Sequence, residues 1–184
     1  MKIAHSHVIL DACCLLNFGA SGHLLAILQA MPAQVVVTQV VKERELKTLQ
    51  RLEAEDNQEA LQFEAAINRG LLAVVDFESE AEAESFINYV FELGDEGESA
   101  CCAIAVHRGW AIGTDDKRAI SFMRREKLPL QIISTPELLK HWSESAMIDS
   151  ETLRDALKAI RDKARYAPPK SHPLRSWWES VVAE

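Results

Sequence analysis

The chain has 184 residues, with 20 Lys+Arg against 28 Asp+Glu, a formal net charge of −8 and 48% hydrophobic residues. A chain of this size buries a full core on its own, and its ordinary aromatic and charged fractions, 7% and 26%, exclude a disordered or fibrous chain. The charge is uneven: residues 1–116 hold 7 basic and 19 acidic side chains, whereas residues 117–184 hold 13 basic and 9 acidic ones.

In chain order, the apolar run His7-Val8-Ile9-Leu10 reads as a buried strand that ends at Asp11. Helical spacing follows over 15–30, with Gly19 and Gly22 at a break, and Val35-Val36-Val37 is a second strand. A charged helical stretch runs from 39 to 69, and Gly70 supplies its C-cap. Residues 71–75 form a third strand, an acidic stretch spans 76–84, and helical periodicity resumes at Phe86, Val90 and Leu93. Gly94 and Gly97 bracket a turn, and an Ala- and Cys-rich helix over 98–108 closes at Gly109. A fourth strand over 110–113 leads to Thr114-Asp115-Asp116, a helix over 117–127 and a fifth strand over 130–134. Short apolar strands alternating with helices predict an α/β class, a three-layer α/β/α sandwich on a short, mostly parallel sheet. The expected organisation is a main domain over 1–140 and a helical C-terminal extension over 141–184 packed on it.

The four cysteines form two adjacent pairs, Cys13-Cys14 and Cys101-Cys102, without C-x-x-C spacing, and read as buried free thiols of a cytoplasmic protein. Asp11 interrupts the apolar N-terminus, and no apolar run approaches the roughly 20 residues of a membrane span, so neither export nor membrane insertion is expected. The six histidines show no metal-ligand spacing, and no G-x-S-x-G elbow, Walker loop or G-x-G-x-x-G is present. A phosphatase of the haloacid-dehalogenase type needs a second Asp where Cys13 stands, and a receiver domain carries its acidic pair after the first strand.

In a parallel sheet the strand C-termini share one edge, where ligands bind near the reversal of strand order. Asp11 follows the first strand and Asp115-Asp116 the fourth; Glu98 opens a helix before the fourth, and Glu43 lies in the first turns after the second. Such carboxylates repel one another unless a hard cation joins them; Mg²⁺ or Mn²⁺ takes oxygen ligands and suits hydrolysis of a phosphodiester. Singly, each acid has a plainer reading: Asp11, Asp115 and Asp116 as helix caps, Glu98 as an acid on a helix dipole, Glu43 as part of a solvated face.

The stretches Val8-Ile-Leu-Asp-Ala-Cys-Cys-Leu-Leu-Asn17, Val40-Val-Lys-Glu43, Leu93-Gly-Asp-Glu-Gly-Glu98 and Gly113-Thr-Asp-Asp116 resemble the successive motifs of PIN domains, over residues 7–140. That resemblance implies an Mg²⁺- or Mn²⁺-dependent endoribonuclease with one or two ions, and many bacterial members are toxins of toxin–antitoxin pairs. Carried over residue by residue, Asp11, Glu43, Glu98 and Asp115 match the acidic quartet, Asp116 an additional acid, and Asn17 and Thr114 supporting polar positions. The implied metal ligands are Asp11, Glu98, Asp115 and Asp116. Glu45 is the alternative to Glu43, whereas Glu96 does not keep the distance to Gly109 that Glu98 does. The implied partners are an RNA substrate, an antitoxin protein and a second copy of the chain.

Lys117, Arg118, Arg124, Arg125 and Lys127 directly follow the acidic pair and are placed to hold phosphates. A second basic stripe, Arg154, Lys158, Arg161 and Arg165, lies beside a core stripe on a helix over 150–166 and reads foremost as a solvated face. Trp177-Trp178 folds a tail back onto the body. The rival reading is a catalytically silent module that binds RNA or a protein partner.

Overall fold

Each apolar run becomes a strand, and the strands form one sheet. In a computed structural model that describes residues 2–44 and 58–183, these are β1 (His7–Leu10), β2 (Gln34–Thr38), β3 (Ala73–Val75), β4 (Ala111–Gly113) and β5 (Ile132–Ile133). They pair in the order β3-β2-β1-β4-β5, and every pair is parallel. Val8, Ile9, Leu10, Val35, Val36, Val37, Ala111 and Ile112 are all buried, as strands covered on both faces require. The helices are α1 (Ala12–Ala20), α2 (Leu24–Gln29), α3 (39–44), α4 (Gln58–Asn68), α5 (Glu80–Leu93), α6 (Glu96–Arg108), α7 (Lys117–Arg125), α8 (Thr135–Ser145), α9 (Ser150–Lys163) and α10 (Arg175–Ala183). The expected α/β/α sandwich is therefore present, with a sheet that is wholly parallel. The central part of the charged stretch expected as helix over 39–69, including Glu45, lies outside the described residues.

Several element boundaries differ from the sequence expectation, and caps explain most of them. Asp11 accepts a hydrogen bond from Ala12 N at 2.7 Å, so α1 starts directly after β1 instead of at 15. Ser79 Oγ accepts from Glu82 N at 3.2 Å, so the acidic stretch is the first turn of α5, where Glu80 and Glu82 meet the helix dipole. Gly94 closes α5 in the left-handed region at φ 70°, and Asp95 at once caps α6 by accepting from Glu98 N at 2.9 Å. Gly97 thus lies inside α6 and not in a turn. A Cβ there would stand 3.3 Å from Val41 Cγ2, so its absence lets α3 pack on the start of α6. Helix α8 is additional to the expected elements, although Ser134-Thr-Pro-Glu137 carries an N-terminal signature: Ser134 N and Oγ both donate to Glu137 Oε2, at 2.8 and 2.6 Å.

The register of the central pair brings two distant stretches of chain together. Leu10 stands opposite Gly113, so the next residues, Asp11 and Thr114, leave the sheet side by side. A Cβ on Gly113 would lie 2.5 Å from Leu10 Cδ2, closer than real atoms come. At the C-terminal end, Leu153, Ala156, Leu157 and Ile160 of α9 and Trp178 of α10 join the same core.

Candidate functional site at the carboxyl edge of the sheet

Strand order reverses between β1 and β4: the chain proceeds from β1 outward to β2 and β3, then returns to β4 on the other side. The residues that leave these two strands are Asp11 and Thr114-Asp115-Asp116, and hydrogen bonds tie them together. Asp11 N donates to Gly113 O at 2.9 Å, and Thr114 Oγ1 donates to Asp11 Oδ2 at 3.0 Å. Thr114 Oγ1 in turn accepts from Asp116 N at 3.1 Å, so one buried hydroxyl sets both acids. Cys13 Sγ donates to Asp11 Oδ2 at 3.3 Å and accepts from Asp115 N at 3.3 Å, which bridges the same two strand ends.

Asp11 is 4% exposed, and burial raises its pKa above the ordinary carboxylate value; the hydrogen bonds from Cys13, Thr114 and Ala12 oppose that shift. Every one of these donors is neutral. Glu98, on the first turn of α6, is pushed up to about 8 by burial first and then by the charges of Asp116, Asp11 and Asp95. Arg118 opposes that shift. The guanidinium is held beside the α5–α6 junction by Glu92 O at 2.9 Å and lies against Gly94. Asp11, Glu98 and Asp116, with Asp95, thus share one electrostatic neighbourhood.

Asp115 has different partners. Its Oδ1 accepts from Thr135 N at 3.1 Å and from Tyr166 Oη at 2.7 Å, and its Oδ2 lies 3.9 Å from Cys14 Sγ. Burial raises its pKa, and the bonds from Thr135 and Tyr166, with nearby His172, act against the rise. Asn17 is buried and donates through Nδ2 to Thr135 Oγ1 at 3.2 Å, so it supports the Asp115 side. Of the two acids after β4, Asp116 is the one that acts on Glu98; its own Oδ1 caps α7 by accepting from Ala119 N at 2.7 Å.

Glu43 is exposed and accepts from Gln39 Nε2 at 2.8 Å. It is not among the principal charges acting on Glu98, which come from Asp116, Asp11 and Asp95. Its neighbour Arg44 pairs with Glu96 and reaches Asp95 at 3.9 Å, which ties α3 to the start of α6. Among the basic residues, Arg125 pairs with Glu92 and Glu126, while Lys117 and Arg124 are exposed and carry no partner among the described residues. On α9, Arg154 and Arg161 pair with the adjacent Asp155 and Asp162.

Sequence reasoning does not single out Asp95, Cys13, Thr135, Tyr166 or His172. Asp95 is legible as the polar residue between Gly94 and the helix start, a typical N-cap position. Thr135 is legible within the Ser134–Glu137 signature. Cys13 reads in sequence as an inert thiol, and although half-buried it lies between Asp11 and Asp115. Among the described residues, the Sγ atoms of Cys13 and Cys14 and a carboxylate oxygen of Asp115 lie within 4.8 Å of one another. No helix among those residues is long and apolar enough to cross a membrane.

A doubly wound parallel sheet with acids gathered at its switch point defines the class. A family model described as a PIN domain, DUF3368, matches residues 7–173, and the chain belongs to that family. The match runs past residue 140 into the C-terminal segment. Among solved structures the chain is similar to the crystal structure of VapBC2 from Rickettsia felis bound to a DNA fragment from their promoter. The two share 15% identity at a TM-score of 0.49, over 70% of this chain and 98% of that one. No curated protein matches the chain.

Proposed function

We propose that the protein is a divalent-metal-dependent endoribonuclease in which Asp11, Glu98 and Asp116 hold the cation. The observation that carries this reading is the tie between the two strand ends at the switch point, where the buried Thr114 hydroxyl bonds both the Asp11 carboxylate and Asp116 N; the Glu98 carboxyl nearby is raised to about 8 by burial and by Asp116, Asp11 and Asp95. A set of carboxylate oxygens with unsatisfied negative charge fits a hard cation such as Mg²⁺ or Mn²⁺ better than a soft one. When bound, the ion supplies an activated water and offsets the charge that builds on a phosphodiester.

The chain's own groups do the rest. Thr114 and the Ala12 amide fix the Asp11 carboxylate, with one oxygen bonded by each. Asp95 caps α6 and thereby sets where Glu98 starts the helix. Arg118 is held by a backbone carbonyl and makes no ion pair among the described residues, so its charge remains available to a phosphate oxygen beside the acids. Lys117 and Arg124, and more weakly the already paired Arg125, extend that positive side along α7. Glu43 has no part in this reading.

The test is cleavage of a single-stranded RNA with Mn²⁺, Mg²⁺ or chelator present. Cleavage that depends on the metal and is lost in Asp116→Asn supports the proposal; equal cleavage by the variant overturns it. For the silent-module reading, the discriminating result is the absence of saturable Mn²⁺ binding. The family resemblance extends the proposal to a cellular role as the toxin of a toxin–antitoxin pair. Expression of the chain alone is then expected to arrest growth, and a small adjacent open reading frame to relieve the arrest; normal growth counts against that role.

A further inference from the structure

The C-terminal segment reaches back to the site, and it does so through one hydroxyl. Helix α9 ends at Lys163, Arg165 takes the left-handed conformation at φ 54°, and Tyr166 is turned inward so that Oη donates to Asp115 Oδ1 at 2.7 Å. The ring is held edge-on against Trp178, with centroids 5.9 Å apart, and Trp178 is 2% exposed in the core. A second contact from the same segment supports the same acid. His172 Nδ1 accepts from Leu174 N at 3.0 Å, which leaves Nε2 to donate to Ser134 Oγ, also at 3.0 Å. Ser134 is the N-cap of α8, whose first amide, Thr135 N, is the other donor to Asp115 Oδ1. One donor to that oxygen thus comes from residues 164–178, and the other follows directly on the residue whose hydroxyl His172 bonds.

The geometry points to Tyr166 as a positioning residue: its hydroxyl fixes Asp115, and through Asp115 it orients the Thr114–Asp116 turn that presents Asp116 to Asp11 and Glu98. The inference rests on the nuclease reading for its cation site, and a parent without saturable Mn²⁺ binding overturns both. Asp115 is anchored by Thr135 and Tyr166 and is not among the principal charges acting on Glu98, and Asp116 is the next residue, so rotation of one changes the direction of the other. Thr114 Oγ1 bonds both Asp11 and Asp116 N, which carries a displacement of the turn into the cation-holding acids. A group that orients metal ligands from behind in this way is generally worth about 10- to 100-fold in metal affinity or activity.

Tyr166→Phe removes the hydroxyl and keeps the ring on Trp178. In the full-length protein, Mn²⁺ affinity by electron paramagnetic resonance is expected to fall by about 10-fold or more, and kcat on RNA to fall similarly with KM unchanged. The melting temperature stays within a few degrees of the parent, as expected for the loss of about one hydrogen bond. The Asp115→Ala variant, which removes the acceptor of both hydrogen bonds, and the double variant complete a cycle. If Tyr166 acts through Asp115, Tyr166→Phe has no further effect on Mn²⁺ affinity in the Asp115→Ala background. Parental Mn²⁺ affinity in Tyr166→Phe, or effects that add in the double variant, overturns the inference. A parent that binds Mn²⁺ but cuts no RNA overturns the nuclease reading alone, because the cycle is still read in metal affinity.

Discussion

Two buried carboxylates in this fold have opposite surroundings. Glu82 on α5 is 3% exposed, and Arg108 clasps it with Nε at 2.7 Å and Nη2 at 3.0 Å. The guanidinium also bonds Asp76 O and Glu78, and lies over the Trp110 ring. Its hydrogen bonds first, and then its charge, hold the Glu82 carboxyl below the ordinary range against the effect of burial. Asp11 is 4% exposed, receives only neutral donors, and is raised. The first acid is fully compensated within the chain and serves to pin α5 to α6. The second, with Glu98 and Asp116, is left short of positive charge at the sheet edge where doubly wound folds in general bind ligands, a pattern more typical of sites than of scaffolds.

The sharpest way to break this contrast is to neutralise each acid in turn. Asp11→Asn, Glu98→Gln and Asp116→Asn are each expected to lower RNA cleavage by about 10²–10⁴-fold. The melting temperatures of Glu98→Gln and Asp116→Asn should match or exceed the parent's, because each relieves repulsion, whereas Asp11→Asn relieves a buried charge and gives up one acceptor oxygen. A variant that melts well below the parent and still cuts at the parental rate would reverse the assignment. Glu82→Ala is expected to do the opposite. Loss of one partner of a buried pair costs about 3–5 kcal/mol in a urea titration, while the folded fraction keeps its activity.

Cation binding should separate the two regions next. At about 100 times its dissociation constant, Mn²⁺ is expected to add about 2.7 kcal/mol of stability to the parent. Glu82→Ala should gain as much, and Asp116→Asn much less. A gain in all three proteins places the ion away from the acids.

The pH profile provides a subtler division. The folded pKa of Glu98 lies above its unfolded value, so the metal-free native state binds the extra proton and loses stability as pH rises from about 4.5 to about 8. Melting of the chelated protein is therefore expected to shift downward across that window, and the slope to flatten in Glu98→Gln. Glu82 has the reverse sign: its contribution is present above the ordinary carboxylate value and is lost as pH falls below it. The smallest effect is expected at Glu43, which is exposed and bonded to Gln39 within its own helix; Glu43→Gln should change stability by no more than about 0.5 kcal/mol and leave cleavage near parental. A large loss of activity would return Glu43 to the site.

How much of this is legible in the sequence depends on which interactions are local. The runs 7–10, 35–37 and 110–113 announce a buried parallel sheet, and that architecture alone brings Asp11 and Thr114-Asp115-Asp116 to one edge. Glu98 is located by its place on the helix before β4. The different surroundings of Asp115 and Asp116 are not legible, because they depend on which way each side chain turns. That is settled by Thr135 N and by Tyr166, which arrives from 51 positions later in the chain. For Glu43, proximity to a strand end assigns the residue to an edge and leaves its direction open; one of its oxygens accepts from Gln39 within the same helix.

Gly113 matters for what it permits at its neighbours. Opposite Leu10 at the last rung between β1 and β4, it leaves no room for even a methyl group. Gly113→Ala would wedge the two strands apart immediately before Asp11 and Thr114, at a cost of about 1–3 kcal/mol if the core yields. The spacing between the acid-bearing strand ends is thus calibrated by a leucine seated in the space that glycine leaves, and the distance between the Asp11 and Thr114–Asp116 turns is decided inside the hydrophobic core, one residue before the first carboxylate.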